Sequence, residues 1–331
     1  MMSRIFKSFA LAIVICMLLS CLVSCGDYQA IEPEDGDLTV VGKVGAMEVY
    51  LDELRFVTST NVELMKARYG EDIFEGKDAV KYTEMLRENV FSGICANYAT
   101  IELCEEALIN RGEASIMKRV EQRMAQTVEE LGGMTKYKRY LKENDLTDRL
   151  VRFSTEIELM QSELMYVYID DILVIEDDDD TIYDIIKDEF IYIRHIFVPH
   201  TEEGAADKIS EARSRIATGE SMLSLIEQYD RDEAMTADGL FILEGYMTPD
   251  YENVAFSLDE GEISDVFSDD SGYYIVERVQ MTPLDIMLRF DHLKQLYQTY
   301  TFYSILDQRQ TELTFEPNDI ANEYISRAVY E

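Results

Sequence analysis

Phe190-Ile191-Tyr192-Ile193-Arg194-His195-Ile196-Phe197-Val198 is a run of β-branched and aromatic residues, read as a largely buried strand that carries one histidine. Downstream, Ala206, Ile209, Ala212 and Ile216 recur at three- and four-residue steps, predicting a helix from Glu203 to Thr218 that Gly219 ends. A shorter helix is expected from Met222 to Tyr229, with Leu223, Ile226 and Tyr229 on its inner side, followed by the loop Asp230-Arg231-Asp232-Glu233. Glycines then punctuate Asp238-Gly239-Leu240-Phe241, the stretch Gly245 to Leu258, and two short strands at Gly261–Val266 and Gly272–Val276.

The ordered series R-H-I-F-V, a helix ending in G-E, G-Y-M-T-P-D-Y-E-N-V-A-F-S-L, G-E-I-S and G-Y-Y-I-V resembles the parvulin peptidyl-prolyl isomerase domain. The resemblance implies a small antiparallel sheet with helices, and an X-Pro rotation that needs no cofactor. It implies His195, Asp232 and Tyr274 as the polar, catalytic frame, with Leu240, Met247, Tyr251 and Phe256 binding substrate. Tyr274 stands where the family has a second histidine, and Tyr251 where it usually has phenylalanine. The family's Gly-Gly-Asp-Leu-Gly is shortened here to Ala237-Asp238-Gly239-Leu240. From the residues alone, a lone histidine such as His195 in a buried strand is more often a hydrogen-bonded core side chain than a catalyst. Met247 and Tyr251, four apart, suit plain packing too.

Around this unit the chain reads as helical. Leu86, Val90, Ile94, Tyr98, Ile101, Cys104 and Leu108 make one amphipathic stripe from Ala79 to Ile109, and further helices are expected near 113–131, 146–172 and 284–311. Val40 to Tyr50 suggests a hairpin before a helix opening at Leu51, and Leu313 to Pro317 a short strand before a last helix at 320–329. The hairpin and Gly132-Gly133 through Leu146-Thr147 resemble the chaperone domain of SurA-like and PrsA-like foldases. That likeness implies an α+β chain in which residues 40–187 and 284–331 form one mostly helical body, with a parvulin-like domain inserted at 188–283. The acid run Glu176 to Asp180 lacks the alternating ligands and glycine of a calcium loop and reads as a solvated boundary.

At the start, Arg4 and Lys7 precede an apolar stretch, Phe9 to Leu19, too short for a comfortable membrane span. Leu22-Val23-Ser24-Cys25 resembles a bacterial lipobox, which implies a leader at 1–24, a lipidated Cys25, a tether at 25–39 and an extracytoplasmic position at a membrane. Leu18-Leu19-Ser20-Cys21 is a rival site. The formal charge of −36 would become −38 on loss of Arg4 and Lys7, which disfavours nucleic acid and anionic lipid heads as partners. Cys95 and Cys104, nine residues apart on one helix, lie about 13 Å apart and cannot bridge. His195, His200 and His292 lack metal-ligand spacing, so neither metal nor cofactor is expected.

Three readings stay open from the sequence. One is a tethered isomerase acting on proline-containing secreted polypeptides; the second is a holdase that only docks unfolded chains; the third is a structural surface lipoprotein. Dimerisation is left open.

Overall fold

The computed structural model describes residues 28–32, 38–169, 178–232, 234–235 and 238–329. The expected leader, Cys25, Pro33, Glu176, Asp177, Glu233 and Ala237 lie outside them. The fold is α+β and mostly helical, with two small antiparallel sheets. Contacts divide the described chain into two units, one holding residues up to 169 with 302–329, the other 178–301.

The first unit begins with β1 (Val40–Val44) and β2 (Met47–Tyr50), which lead directly into α1 (Leu51–Tyr69). Next comes α2 (Ala79–Glu106), whose Leu86, Val90, Ile94, Tyr98 and Ile101 are all buried, as the periodicity requires. The stripe stops earlier than its spacing suggests. Leu108 takes a left-handed conformation (φ 62°) and is 82% exposed, while the Ile109 N–H bonds back to the Cys104 carbonyl and Ile109 is buried instead. Cys95 and Cys104 are free and buried, and burial pushes the Cys104 thiol up to about 12.

Then follow α3 (Ala114–Glu130), α4 (Met134–Glu143) and α5 (Asp148–Val167). Thr147 caps α5 by accepting from the Leu150 N–H at 3.0 Å, and its own hydroxyl donates to Asp52 on α1 at 2.6 Å. The helix cap is thereby tied to a buried charge.

The second unit opens with α6 (Asp179–Glu189), a helix the acid run conceals in the sequence. Asp178 accepts from the Thr181 N–H at 2.9 Å, and Asp179 and Asp180 fill the first turn, where negative charge suits the helix dipole. Ile182 and Ile186 turn inward against Phe190, Tyr192 and Phe241. The strands are β3 (Ile191–Pro199), β4 (Leu240–Ile242), β5 (Phe267–Ser268) and β6 (Gly272–Val279), in the order β4-β3-β6-β5, all antiparallel. The expected strand at 261–266 is reduced to a single bridge, Ile263 to Glu277.

Helices α7 (Ala205–Ala217) and α8 (Met222–Tyr229) cover one face of the sheet, packing on Ile196, Val198 and Ile275. The buried residues of α8 are Met222, Leu225 and Ile226, whereas Leu223 is 41% exposed, so its inner face is rotated from the expected one. On the opposite face, α9 (Pro249–Ala255) lays Tyr251 and Ala255 against Ile191, Ile193, Tyr274 and Val276.

The long helix α10 (Pro283–Glu312) begins in the second unit and ends in the first, where Phe302 and Leu306 join the core of α3, α4 and α5. Last come β7 (Phe315–Pro317) and α11 (Asp319–Ala328). β7 completes the sheet order β2-β1-β7, and a Cβ at Gly42 would lie 2.4 Å from the Glu316 carbonyl oxygen, so only glycine admits that close crossing. Relative to the expected boundaries at 188 and 283, α6 and the first turns of α10 group with the strand-bearing unit.

Candidate functional site

Period-two alternation along β3 sends Ile191, Ile193, His195 and Phe197 to the face covered by α9. His195 is 1% exposed, and its surroundings are built from three separate stretches of chain. From α9, the Tyr251 hydroxyl stands 2.9 Å from His195 Nδ1. From the loop after α8, Asp232 Oδ2 stands 3.1 Å from Nε2 and Asp230 Oδ1 4.0 Å. The Asp232 contact is close but out of line for an N–H bond, so its attraction is mainly electrostatic.

The loop is pinned to the strand by both backbone groups of Phe197. The Phe197 N–H donates to Asp230 Oδ1 at 2.7 Å, and the Arg231 N–H donates to the Phe197 carbonyl at 2.9 Å. Asp230 Oδ2 accepts from the Asp232 N–H at 3.1 Å, which sets Asp232 beside the imidazole. Asp230 escaped the sequence reading as a site residue; its signal was only its place in the loop Asp230-Arg231-Asp232. Its carboxyl is raised above the usual range, chiefly by burial.

Asp232 differs. Its side chain is 32% exposed, and the neighbouring imidazole holds its carboxyl below the usual range. A depressed carboxyl stabilises the fold above the ordinary aspartate value of about 3.9 and loses that contribution as pH falls through its own lower value. We therefore expect carboxyl-carbon NMR to titrate Asp232 below about 3.9 and to move it upward in His195→Phe; an ordinary or raised midpoint would contradict the pairing.

Burial drives Tyr251 well above its ordinary value, so the phenol keeps its proton and can donate it to Nδ1. With the phenol donating to Nδ1, the ring proton of His195 sits on Nε2 and faces the carboxylates. Tyr274 is placed differently from what its position in the family pattern suggests. Its ring lies between Phe197 and Phe267, with centroids 4.8 and 5.5 Å away, and is edge-on to His195 at 6.0 Å. Its phenol is raised above the ordinary value, chiefly by burial and then by the nearby Asp269 carboxylate. The hydroxyl that reaches His195 is that of Tyr251, which the sequence placed on an apolar wall.

Leu240, Met247 and Phe267 are partly buried against this cluster. The shortened loop holds Leu240 through Gly239, whose φ is +69° and whose Cβ would fall 2.5 Å from the Ile193 carbonyl oxygen. Met247 is fixed by its N–H donating to Glu252 at 2.8 Å, and Thr248 by its hydroxyl donating to Asp269 at 2.9 Å. Asp269 thus links the α9 start to the β5–β6 turn, where it also accepts from the Ser271 N–H at 2.7 Å. Phe256 packs against the cluster and also lines an open hollow of about 550 Å³ with Glu244, Pro249, Glu252, Asn253 and Tyr300. Among the described residues no group of three or more His, Cys, Asp or Glu is arranged to hold a metal.

Residues 195–280 match the rotamase family, described as a PPIC-type PPIase domain. The foldase protein PrsA of Caldanaerobacter subterraneus subsp. tengcongensis is 24% identical over 324 residues, spanning 95% of this chain and 93% of that protein. The chain is PrsA-like and carries a parvulin domain. The foldase protein PrsA of Oceanobacillus iheyensis is 26% identical over 161 residues, 45% of this chain and 52% of that protein. Among solved structures, the peptidylprolyl isomerase PrsA of Bacillus anthracis is 19% identical and covers 66% of this chain and 94% of its own, with a TM-score of 0.35. Within the parvulin domain, then, one imidazole faces two tyrosines and two aspartates.

Proposed function

We propose that this chain is an extracytoplasmic foldase, lipid-anchored through Cys25, whose parvulin domain (188–283) catalyses proline cis–trans isomerisation in secreted polypeptides held by a helical chaperone body. The observation that carries the isomerase reading is the buried His195 between the Tyr251 hydroxyl and the partly exposed Asp232, beside the partly buried Leu240 and Met247. Rotating an X-Pro bond gives up amide resonance, a barrier of roughly 18–20 kcal/mol that water crosses in tens to hundreds of seconds. No covalent step is needed. Leu240 and Met247, packed on the cluster that buries Tyr251, hold the proline against apolar surface, which lowers the hydration of the planar, more polar ground state. Tyr251 and Asp232 fix the imidazole so that its field acts on the twisted amide, whose carbonyl is less polar than in the ground state. Tyr274 fills the wall as a rigid ring.

A second reading, a holdase without turnover, is favoured by Leu284, Met287 and Leu288. These are exposed and spaced to share one face of the first turns of α10, a surface suited to unfolded chains. Refolding of a client with a slow proline phase separates the two. The isomerase shortens that phase at catalytic amounts, whereas the holdase lowers aggregation and leaves the phase unchanged. No helix among the described residues is long and apolar enough to cross a membrane. Anchoring is tested by Cys25→Ser, which should release the protein from the membrane fraction.

A further inference from the structure

We propose that a groove on the helical unit binds extended polypeptide, and that Tyr28-Gln29-Ala30-Ile31-Glu32 occupies it as a resident strap that a client must displace. The strap is held at Asp148, a buried carboxylate in the first turn of α5. Asp148 accepts from the Tyr28 hydroxyl at 2.8 Å, from the Ile31 backbone N–H at 3.1 Å and from the Tyr137 hydroxyl at 2.9 Å. Arg152 donates to the Tyr28 hydroxyl at 3.0 Å, and its guanidinium stands 5.7 Å from the centre of the Tyr28 ring. Tyr28 and Ile31 both pack on the core shared by α3, α4 and α5. Beside them a hollow of about 290 Å³ remains, walled by Arg111, Met117, Phe153 and Glu156.

None of these contacts is peculiar to the strap. A backbone N–H is offered by every residue except proline. An aromatic residue followed three positions later by an aliphatic one supplies the rest, a pattern common in unfolded chains. Asp148 makes the groove a site. Were the strap absent, this buried carboxylate would keep only Tyr137 among the three donors, and an under-bonded buried charge is costly. An incoming peptide that restores the two lost bonds is favoured for the same reason. The groove lies outside the parvulin domain, so the outcome below does not depend on whether His195 acts on prolines.

The probe is a fluorescent Tyr-Gln-Ala-Ile-Glu peptide, followed by anisotropy against the full chain and against a full-chain variant carrying Tyr28→Ala and Ile31→Gly. A tethered segment competes at an effective concentration of roughly millimolar, so removing its anchors should tighten peptide binding at least about tenfold. The same peptide with phenylalanine for tyrosine should lose most of that gain, since it cannot donate to the carboxylate. Equal affinity for both proteins, no binding to a folded variant, or equal binding of the two peptides would each overturn the proposal.

Discussion

Replacing Arg149 with methionine lowers the stability of the helical unit by about 3–5 kcal/mol, the usual cost of stripping one partner from a buried ion cluster. The guanidinium stands against two almost fully buried carboxylates that open α1. Arg149 Nε donates to Asp52 at 2.8 Å, and Nη2 donates to Glu53 at 2.8 Å and also to Asp52. The Tyr98 hydroxyl, 3.0 Å from Glu53, and the Thr147 hydroxyl on Asp52 complete the cluster. Burial already raises the Glu53 carboxyl, and Arg149 is the main influence pulling it back.

Without Arg149 the folded-state value of Glu53 rises further above the unfolded one. The loss is therefore greatest at neutral pH and shrinks as pH falls toward about 4, where the folded Glu53 takes up a proton. Urea unfolding at pH 7 and pH 5 measures both effects. A change under about 1 kcal/mol, or one independent of pH, would show that the cluster is solvated.

Tyr251→Phe is the second large effect, and it separates the hydroxyl from the ring. The substitution keeps the packing of Tyr251 on Phe267 and Tyr274 but leaves His195 Nδ1 buried without its partner. Stability should fall by about 1–3 kcal/mol. Imidazole ¹⁵N shifts should move from a single tautomer to a mixture, and catalysed proline exchange should drop about tenfold, the rate equivalent of 1.36 kcal/mol. Unchanged ¹⁵N shifts would mean that the hydroxyl does not hold the ring.

Much of this architecture is legible in the residues. The alternation of β3 places His195 on the α9 face, and the three-to-four spacing of α2 finds its buried stripe. What was hidden follows from physics that acts across the chain. The acids at 178–180 read as solvated because composition cannot show that one of them caps a helix. Asp52 and Glu53 look like a helix's polar first turn until Arg149, almost a hundred residues away, draws them inside. Tyr251 and His195 are 56 positions apart, and only the packing of α9 on the sheet shows that the phenol reaches the imidazole while the Tyr274 ring stacks with Phe197 and Phe267. The stretch at 261–266 has a strand's glycine punctuation, yet only Ile263 forms a bridge, and Gly261, Glu262 and Ser264 join β6 through separate backbone hydrogen bonds rather than a continuous ladder.

The most direct measurement is exchange NMR on a short X-Pro peptide with the folded protein, its Met247→Ala variant and its His195→Ala variant. Cis–trans exchange should accelerate with the wild-type chain and return to the uncatalysed rate with either variant, each still folded by circular dichroism. Exchange at the uncatalysed rate in the presence of folded wild-type protein would contradict the isomerase reading.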